Sequence, residues 1–195
     1  MSKLLNINTK EEDKKLREEW KSTKEIFDGR ILHVIDDTVI CPNGNEASRE
    51  LIRHVGAVCI VPITDDGKVI VERQFRYPID KVITEIPAGK LDSKSEDPLL
   101  AAKRELREET GYTADEWTHL GVFYPAPAYS DELIHVYIAR KLKKGERDLD
   151  EDEFLDIYEV PLDELVDDIM KGEITDCKTQ MAILKTKIRL TKECR

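Results

Sequence analysis

The sequence predicts an α+β protein, and three observations carry that reading. Strand-like runs are mixed with a few helical ones, and the two do not alternate regularly. A strong turn signal, Pro42-Asn43-Gly44-Asn45, separates two strand-like stretches near the N-terminus. A length of 195 residues suits one domain with a small extension, and 40% hydrophobic content is enough for a sizeable core.

The elements follow in order. Residues 11–26 are highly charged and read as a short helix or a solvated arm. After Gly29, residues 30–40 alternate well enough for a strand, and residues 46–54 read as its returning partner. This hairpin makes residues 1–55 a small β extension. It is too small for a core of its own, so it is expected to pack on the main domain, residues 56–195, or on a second subunit. Residues 56–63 are apolar throughout and suit a buried strand, Asp65-Asp66-Gly67-Lys68 makes a turn, and residues 69–75 return. Asp97-Pro98 is a helix start, with Leu99, Leu100, Ala102 and Leu106 as its inner face and Gly111 as its left-handed end. Strands are predicted near 118–124, 133–139 and 154–160. A helix starts at Pro161, and Asp176 caps a last one in which Met181, Leu184 and Ile188 keep helical spacing.

A net charge of −10 argues against duplex nucleic acid or an anionic membrane as partner. It equally opposes an anionic substrate unless cations intervene. No apolar run approaches the roughly 20 residues of a membrane span, and the acidic N-terminus lacks a signal-peptide core. Cys41, Cys59, Cys177 and Cys194 form no C-x-x-C pair, and the four histidines show no zinc-ligand spacing. A reduced, cytoplasmic protein is expected.

Residues 104–112, R-E-L-R-E-E-T-G-Y, hold the chemistry. At about 100° per helical residue, Glu109 lies ~40° from Glu105, with Glu108 ~60° to its other side, so the three carboxylates share one side. Alone they repel one another. A hard divalent cation, which takes oxygen ligands, would convert that repulsion into binding. The bland alternative is a solvated acidic helix face.

The surroundings decide between these. Gly89, six residues, Glu96, seven residues, then Arg104 to Tyr112 closely resembles the box of the Nudix hydrolases, G-x5-E-x7-R-E-U-x-E-E-x-G-U. Every charged position and both glycines match. The single departure, six residues rather than five after Gly89, falls in residues 90–95, a polar stretch that reads as loop. The resemblance implies the Nudix fold, a mixed β-sheet sandwiched between α-helices. It further implies Mg²⁺, with Mn²⁺ as a substitute, held by Glu105 and Glu109, by Glu108 in support, and by the carbonyl of Ala88. Glu85 is a weaker candidate to support the metals. Arg104, four residues before Glu108, can form an orienting ion pair; its plain alternative is an ordinary surface pair.

Outside the box the resemblance narrows to the ADP-ribose pyrophosphatases, on Arg73-Gln74-Phe75-Arg76, on Glu85 to Lys90 and on Tyr124 to Glu132. It implies hydrolysis of a nucleoside-diphosphate sugar, ADP-ribose first and a GDP-sugar such as GDP-mannose as the rival. A Nudix-fold binding module without catalysis is a further alternative. Arg76 matches an arginine that contacts substrate phosphate in relatives; Arg73, an odd step away on a strand, faces the other side. Pro127 stiffens the loop that closes over the substrate, and Glu132 is a weaker substrate contact. The chain has Pro125-Ala126-Pro127-Ala128 where relatives tend to show Ser-Pro-Gly. Glu50 and Arg53 are candidates for base or ribose contacts, and relatives are thought to stack adenine on N-terminal aromatics as dimers, so a homodimer is expected.

A second acidic cluster, residues 148–153, admits three readings. It could be a solvated loop. It could be a Ca²⁺ loop, with Asp148, Asp150, Asp152 and Glu159 at ligand positions, although Glu153 stands where that loop requires glycine. The third reading, implied by the resemblance, is a loop that brings a general base, Glu153 first and Glu151 second.

Overall fold

The structure, a computed structural model, describes residues 13–149, 151 and 153–193. The chain divides into two compact units: the N-terminal part up to His54 together with Ala126–Glu132, and Val55–Pro125 together with the chain from Leu133 on.

The first unit is a three-stranded antiparallel sheet of β1 (Glu19–Asp28), β2 (His33–Ile40) and β3 (Glu46–Arg53), in that order. The expected hairpin is β2–β3, with Ile40 opposite Glu46. Residues 19–28, however, are a strand rather than a helix or an arm. Every residue of β1 is exposed, so no apolar period marks it, and two register shifts break any alternation further. Backbone pairing with β2 places it. In residues 13–54 only Asp37 and Val39 are buried. Residues 126–132 join this unit through Asp131. Its backbone N–H donates to the Ile52 carbonyl at 3.3 Å, and its carboxylate accepts from the His54 N–H at 2.7 Å and from Arg53 at 3.3 Å.

The second unit is built around β4 (Ala57–Pro62), which is buried at every position. Such a strand needs cover on both faces. Val58 and Ile60 pack with Ile70, Tyr137 and Ala139 against Ala101, Ala102 and Leu106 of α1 (Pro98–Thr110). Cys59 and Val61 face the other way, with Val69, Val71, Val136 and Ile138, against α2 (Leu162–Lys171) and α3 (Cys177–Glu193). The strands form two sheets. One has the order β7-β4-β9-β8, with β7 (Ala88–Lys90), β8 (Tyr112–Phe123) and β9 (Ile134–Lys144); β4 and β9 run parallel and the other pairs antiparallel. The other has the order β10-β5-β6, with β5 (Lys68–Arg76), β6 (Lys81–Glu85) and β10 (Leu155–Pro161).

Two apolar stripes differ from expectation. Leu100 is 62% exposed and Ala101 takes its place inside, because Leu100 lies on the helix side opposite the middle of the buried stripe Ala101, Ala102, Leu106 and Glu109. In α3 the buried stripe is Thr179, Ala182, Ile183 and Thr186, which leaves Ile188 exposed and Met181 and Leu184 at the margin.

The ends of α1 follow the sequence signals. The Asp97 carboxylate accepts from the N–H groups of Leu99 and Leu100 at 2.7 and 3.2 Å. Gly111 ends the helix at φ 75°, and a Cβ there would also lie 2.9–3.1 Å from backbone atoms of residues 145–147. Gly111→Ala should therefore destabilise the chain by at least about 1–2 kcal/mol, the penalty of the left-handed region alone. The midpoint of urea unfolding measures this.

Candidate active site

The site lies in the second unit, where β5, β6, β7 and the last turns of α1 meet. The Arg104 side chain holds the start of the acidic face: it donates to Glu105 at 2.6 Å, to Glu108 at 3.3 Å and to the Lys90 carbonyl at 3.3 Å, and it lies 3.6 Å from Glu96. The i,i+4 pair read from the sequence is thus one arm of a wider clamp between α1 and the end of β7. Glu96 in turn accepts from the Asp92 N–H at 2.5 Å, so the extra residue of the box sits within a loop that has its own internal bond.

Gly89 leaves the space that the Glu105 carboxylate occupies. A Cβ built on Gly89 would lie 2.0–2.3 Å from the carboxyl atoms of Glu105. The Glu109 carboxylate is 3% exposed and accepts from the Ala88 N–H at 3.0 Å. Ala88, Glu105 and Glu109, three of the residues read as metal ligands, are therefore neighbours, and Glu108 stands on the same helix face with Arg104 and Arg107.

Glu85 and Arg76 are brought together. Arg76 grips Glu85 with two bonds, from Nε at 2.6 Å and from Nη2 at 3.1 Å. Lys178 bonds the same carboxylate, and Asp176 at 3.1 Å, so the 2%-exposed Glu85 carries two cations. Arg73 faces the opposite side, lining a cleft of about 510 Å³ with Phe75, Glu153 and Phe154.

Two residues of this site were not read from the sequence. Lys178 lies in the first turn of α3, where the helix dipole disfavours a cation, and that misplacement was the available signal. Glu72 is 1% exposed on β5, directly opposite Glu85 on β6. Its signal was a charge directly after the apolar run Val69-Ile70-Val71, two residues from Ile70 and so on the same strand face.

The second acidic loop is anchored to the end of α1. The Asp148 N–H donates to the Glu108 carbonyl at 3.1 Å, and its carboxylate accepts from Arg107 at 3.2 Å. From there Glu153, half-buried, comes near enough that its charge acts on Glu72, Glu105 and Glu109, whereas Glu151 is exposed. Asp150 and Asp152 lie outside the described residues. Glu50, Arg53, Pro127 and Glu132 belong to the first unit, where Arg53 is tied to Asp37 and Asp131, each at 3.3 Å.

Electrostatically the site is overloaded with negative charge. Burial pushes Glu105 up to about 7 against the pull of Arg104. Burial, then the Glu85 charge, pushes Glu72 up to about 8. Burial, followed by the charges of Glu72, Glu105 and Glu153, holds Glu109 well above the ordinary carboxylate range. Both Glu72 oxygens lack a hydrogen-bond partner among the described residues. As the side chains stand, no group of three or more acidic, histidine or cysteine residues among the described ones already forms a metal cage. Even so, a set of crowded, under-satisfied carboxylates beside a glycine cradle is a donor set that fits a hard divalent cation.

These carboxyls bind protons more tightly in the folded chain than in the unfolded one. Their contribution to stability is therefore greatest below the ordinary value of 4.5 and is lost as pH rises through about 7 and 8. Thermal unfolding in a chelator should show Tm falling across that window, and Glu109→Gln should flatten the fall.

The NUDIX domain family matches residues 53–177. An ADP-ribose pyrophosphatase of Bacillus subtilis (strain 168) is 42% identical over 172 residues, which cover 87% of this chain and 92% of that protein. A methanol dehydrogenase activator of Bacillus methanolicus is 44% identical over the same shares. A crystal structure of an ADP compounds hydrolase superposes with a TM-score of 0.82 at 24% identity, covering 91% of this chain and 97% of that one, a likeness that speaks for the fold. Members of the family generally use divalent metal ions. Box, fold and relatives agree, and the chain belongs to the Nudix hydrolase family.

Proposed function

We propose that this chain hydrolyses the pyrophosphate of ADP-ribose to AMP and ribose 5-phosphate with Mg²⁺, or with Mn²⁺ as a substitute. The observation that carries the reading is the meeting of Glu105 with Gly89 and of Glu109 with Ala88. Ala88, Glu105 and Glu109, with Glu108 in support, would hold the cation. Once bound, a divalent cation neutralises phosphate charge and makes water more acidic.

The chain's own residues do the rest. Arg104 keeps Glu105 and Glu108 oriented. Arg76 is pre-oriented by its two bonds to Glu85, and the planar edge left free suits a phosphate oxygen. Glu153 takes the proton from the attacking water; its anchored loop and its position near Glu105 and Glu109 support it over the exposed Glu151. For Glu50, Arg53, Pro127 and Glu132 the substrate role is proposed on the resemblance alone. ADP-ribose as substrate is supported by the name of the Bacillus subtilis relative. The intact carboxylates weigh against a non-catalytic module, which need not keep so costly a cluster.

A homodimer belongs to the same proposal. Trp20, Ile26, Phe27, Ile31 and Leu32 are all about half exposed or more, in a unit with almost no core. A cytoplasmic setting is supported by the free thiols of Cys41 and Cys59. The net charge of −10 speaks against nucleic acid and anionic membrane. Among the described residues no helix is long and apolar enough to cross a membrane.

Assays of ADP-ribose, GDP-mannose and NADH with Mg²⁺ in ¹⁸O-labelled water should give the highest kcat/KM for ADP-ribose, with one labelled oxygen in the products. Preference for GDP-mannose would replace the substrate. Glu109→Gln should lower the rate by about 100-fold or more, and an unchanged Mg²⁺-dependent rate would overturn the metal assignment. Glu153→Gln should lose on the order of 10²–10⁴ in kcat while Glu151→Gln keeps its activity, the pH profile of kcat losing its acid-limb carboxyl only in the former.

A further inference from the structure

We infer that Glu72 of β5 is a further carboxylate ligand of the divalent cation, a role that rests on the reading of the Glu105–Glu109 face as a metal site. The argument begins with where the fold puts it. β5 is the central strand of its sheet, paired to β10 on one side and β6 on the other, so Glu72 has no sheet edge through which to reach water. It is 1% exposed, and neither carboxylate oxygen has a hydrogen-bond partner among the described residues. Burying a carboxylate without partners is strongly unfavourable, and a strand position of this kind is filled by valine or isoleucine without penalty.

Its cross-strand neighbour shows the contrast. Glu85 is equally buried, but Arg76 and Lys178 saturate it. Glu72 has no such bonds to either cation. Their charges reach it only through space, and what remains to bond its oxygens is a proton or a metal ion.

The packing aims Glu72 at the box. Ile70 of β5 and Leu106 of α1 belong to one buried cluster. Two residues along β5 from Ile70 is Glu72, on the same strand face. Three residues along α1 from Leu106 is Glu109, on the same helix face. The two carboxylates thus extend one packed face beyond its apolar part. Their charges bear this out: among the charged groups acting on Glu109, Glu72 acts most strongly. A buried, unpartnered carboxylate directed at residues that fit a hard cation is a ligand in waiting rather than a packing residue.

The competing account is that Glu72 stays protonated and serves only as a neutral filler. Mn²⁺ binding, followed by the loss of the free-ion electron paramagnetic resonance signal on titrating the full chain at neutral pH, separates the two. Glu72→Gln keeps the shape and cannot ionise; it should bind Mn²⁺ at least tenfold more weakly and show a smaller Mn²⁺-induced rise in Tm. Glu72→Val suits a buried strand and guards against a folding failure. It should melt no lower than the parent without metal and lose affinity to the same degree. Glu109→Gln is the control for the site itself. If it loses affinity while both Glu72 variants bind within twofold of the parent, the Glu72 inference is overturned and the metal reading stands. If Glu109→Gln also binds normally, both fall.

Discussion

Unbalanced negative charge in a dry place is the constraint on which this site depends. Glu72, Glu85 and Glu109 are each at most 3% exposed, and Glu105 lies against a backbone glycine beside them. Carboxylates do not gather in this way unless something holds them. Here the holding is done by the packing beneath them. Leu106 and Ile70 are fully enclosed with Val58 and Ile60, so neither α1 nor β5 can drift to relieve the repulsion.

The fold distributes its few cations unevenly across this charge. Arg76 and Lys178 both go to Glu85, and Arg104 goes to Glu105 and Glu108. Among the described residues, Glu109 receives only a backbone N–H, and Glu72 receives no hydrogen bond. The result is a gradient within one cluster, from a saturated carboxylate that can orient an arginine to starved ones that need an ion. A protein with net charge −10 can meet a pyrophosphate only through such local arrangements, since its overall field opposes the approach.

Much of this was legible in the sequence, for identifiable reasons. The box could be read because its charged residues follow helical spacing, and Asp97, Pro98 and Gly111 mark the helix by local rules that need no tertiary information. β4 was legible because a strand buried on both faces is apolar at every position. β1 was not, because all its residues are exposed and only hydrogen bonds to β2 define it. The Glu85–Lys178 contact joins residues 93 positions apart, and no local pattern announces a pair at that distance. Glu72 was hidden differently: it stands within a motif, Glu72-Arg73-Gln74-Phe75-Arg76, in which the arginines attract attention.

The six-residue gap after Gly89 bears on how such a box is defined. Gly89 is fixed by β7, where Val58 is its partner across the sheet, and Glu105 is fixed by α1. The loop between them only has to close the distance. The box is therefore a statement about two surfaces in contact, written along the chain with a spacer whose length is incidental. Chains with longer spacers, natural or designed, belong to the same chemistry wherever a glycine still leaves room for that carboxylate, and a search that fixes the spacer at five would pass over them.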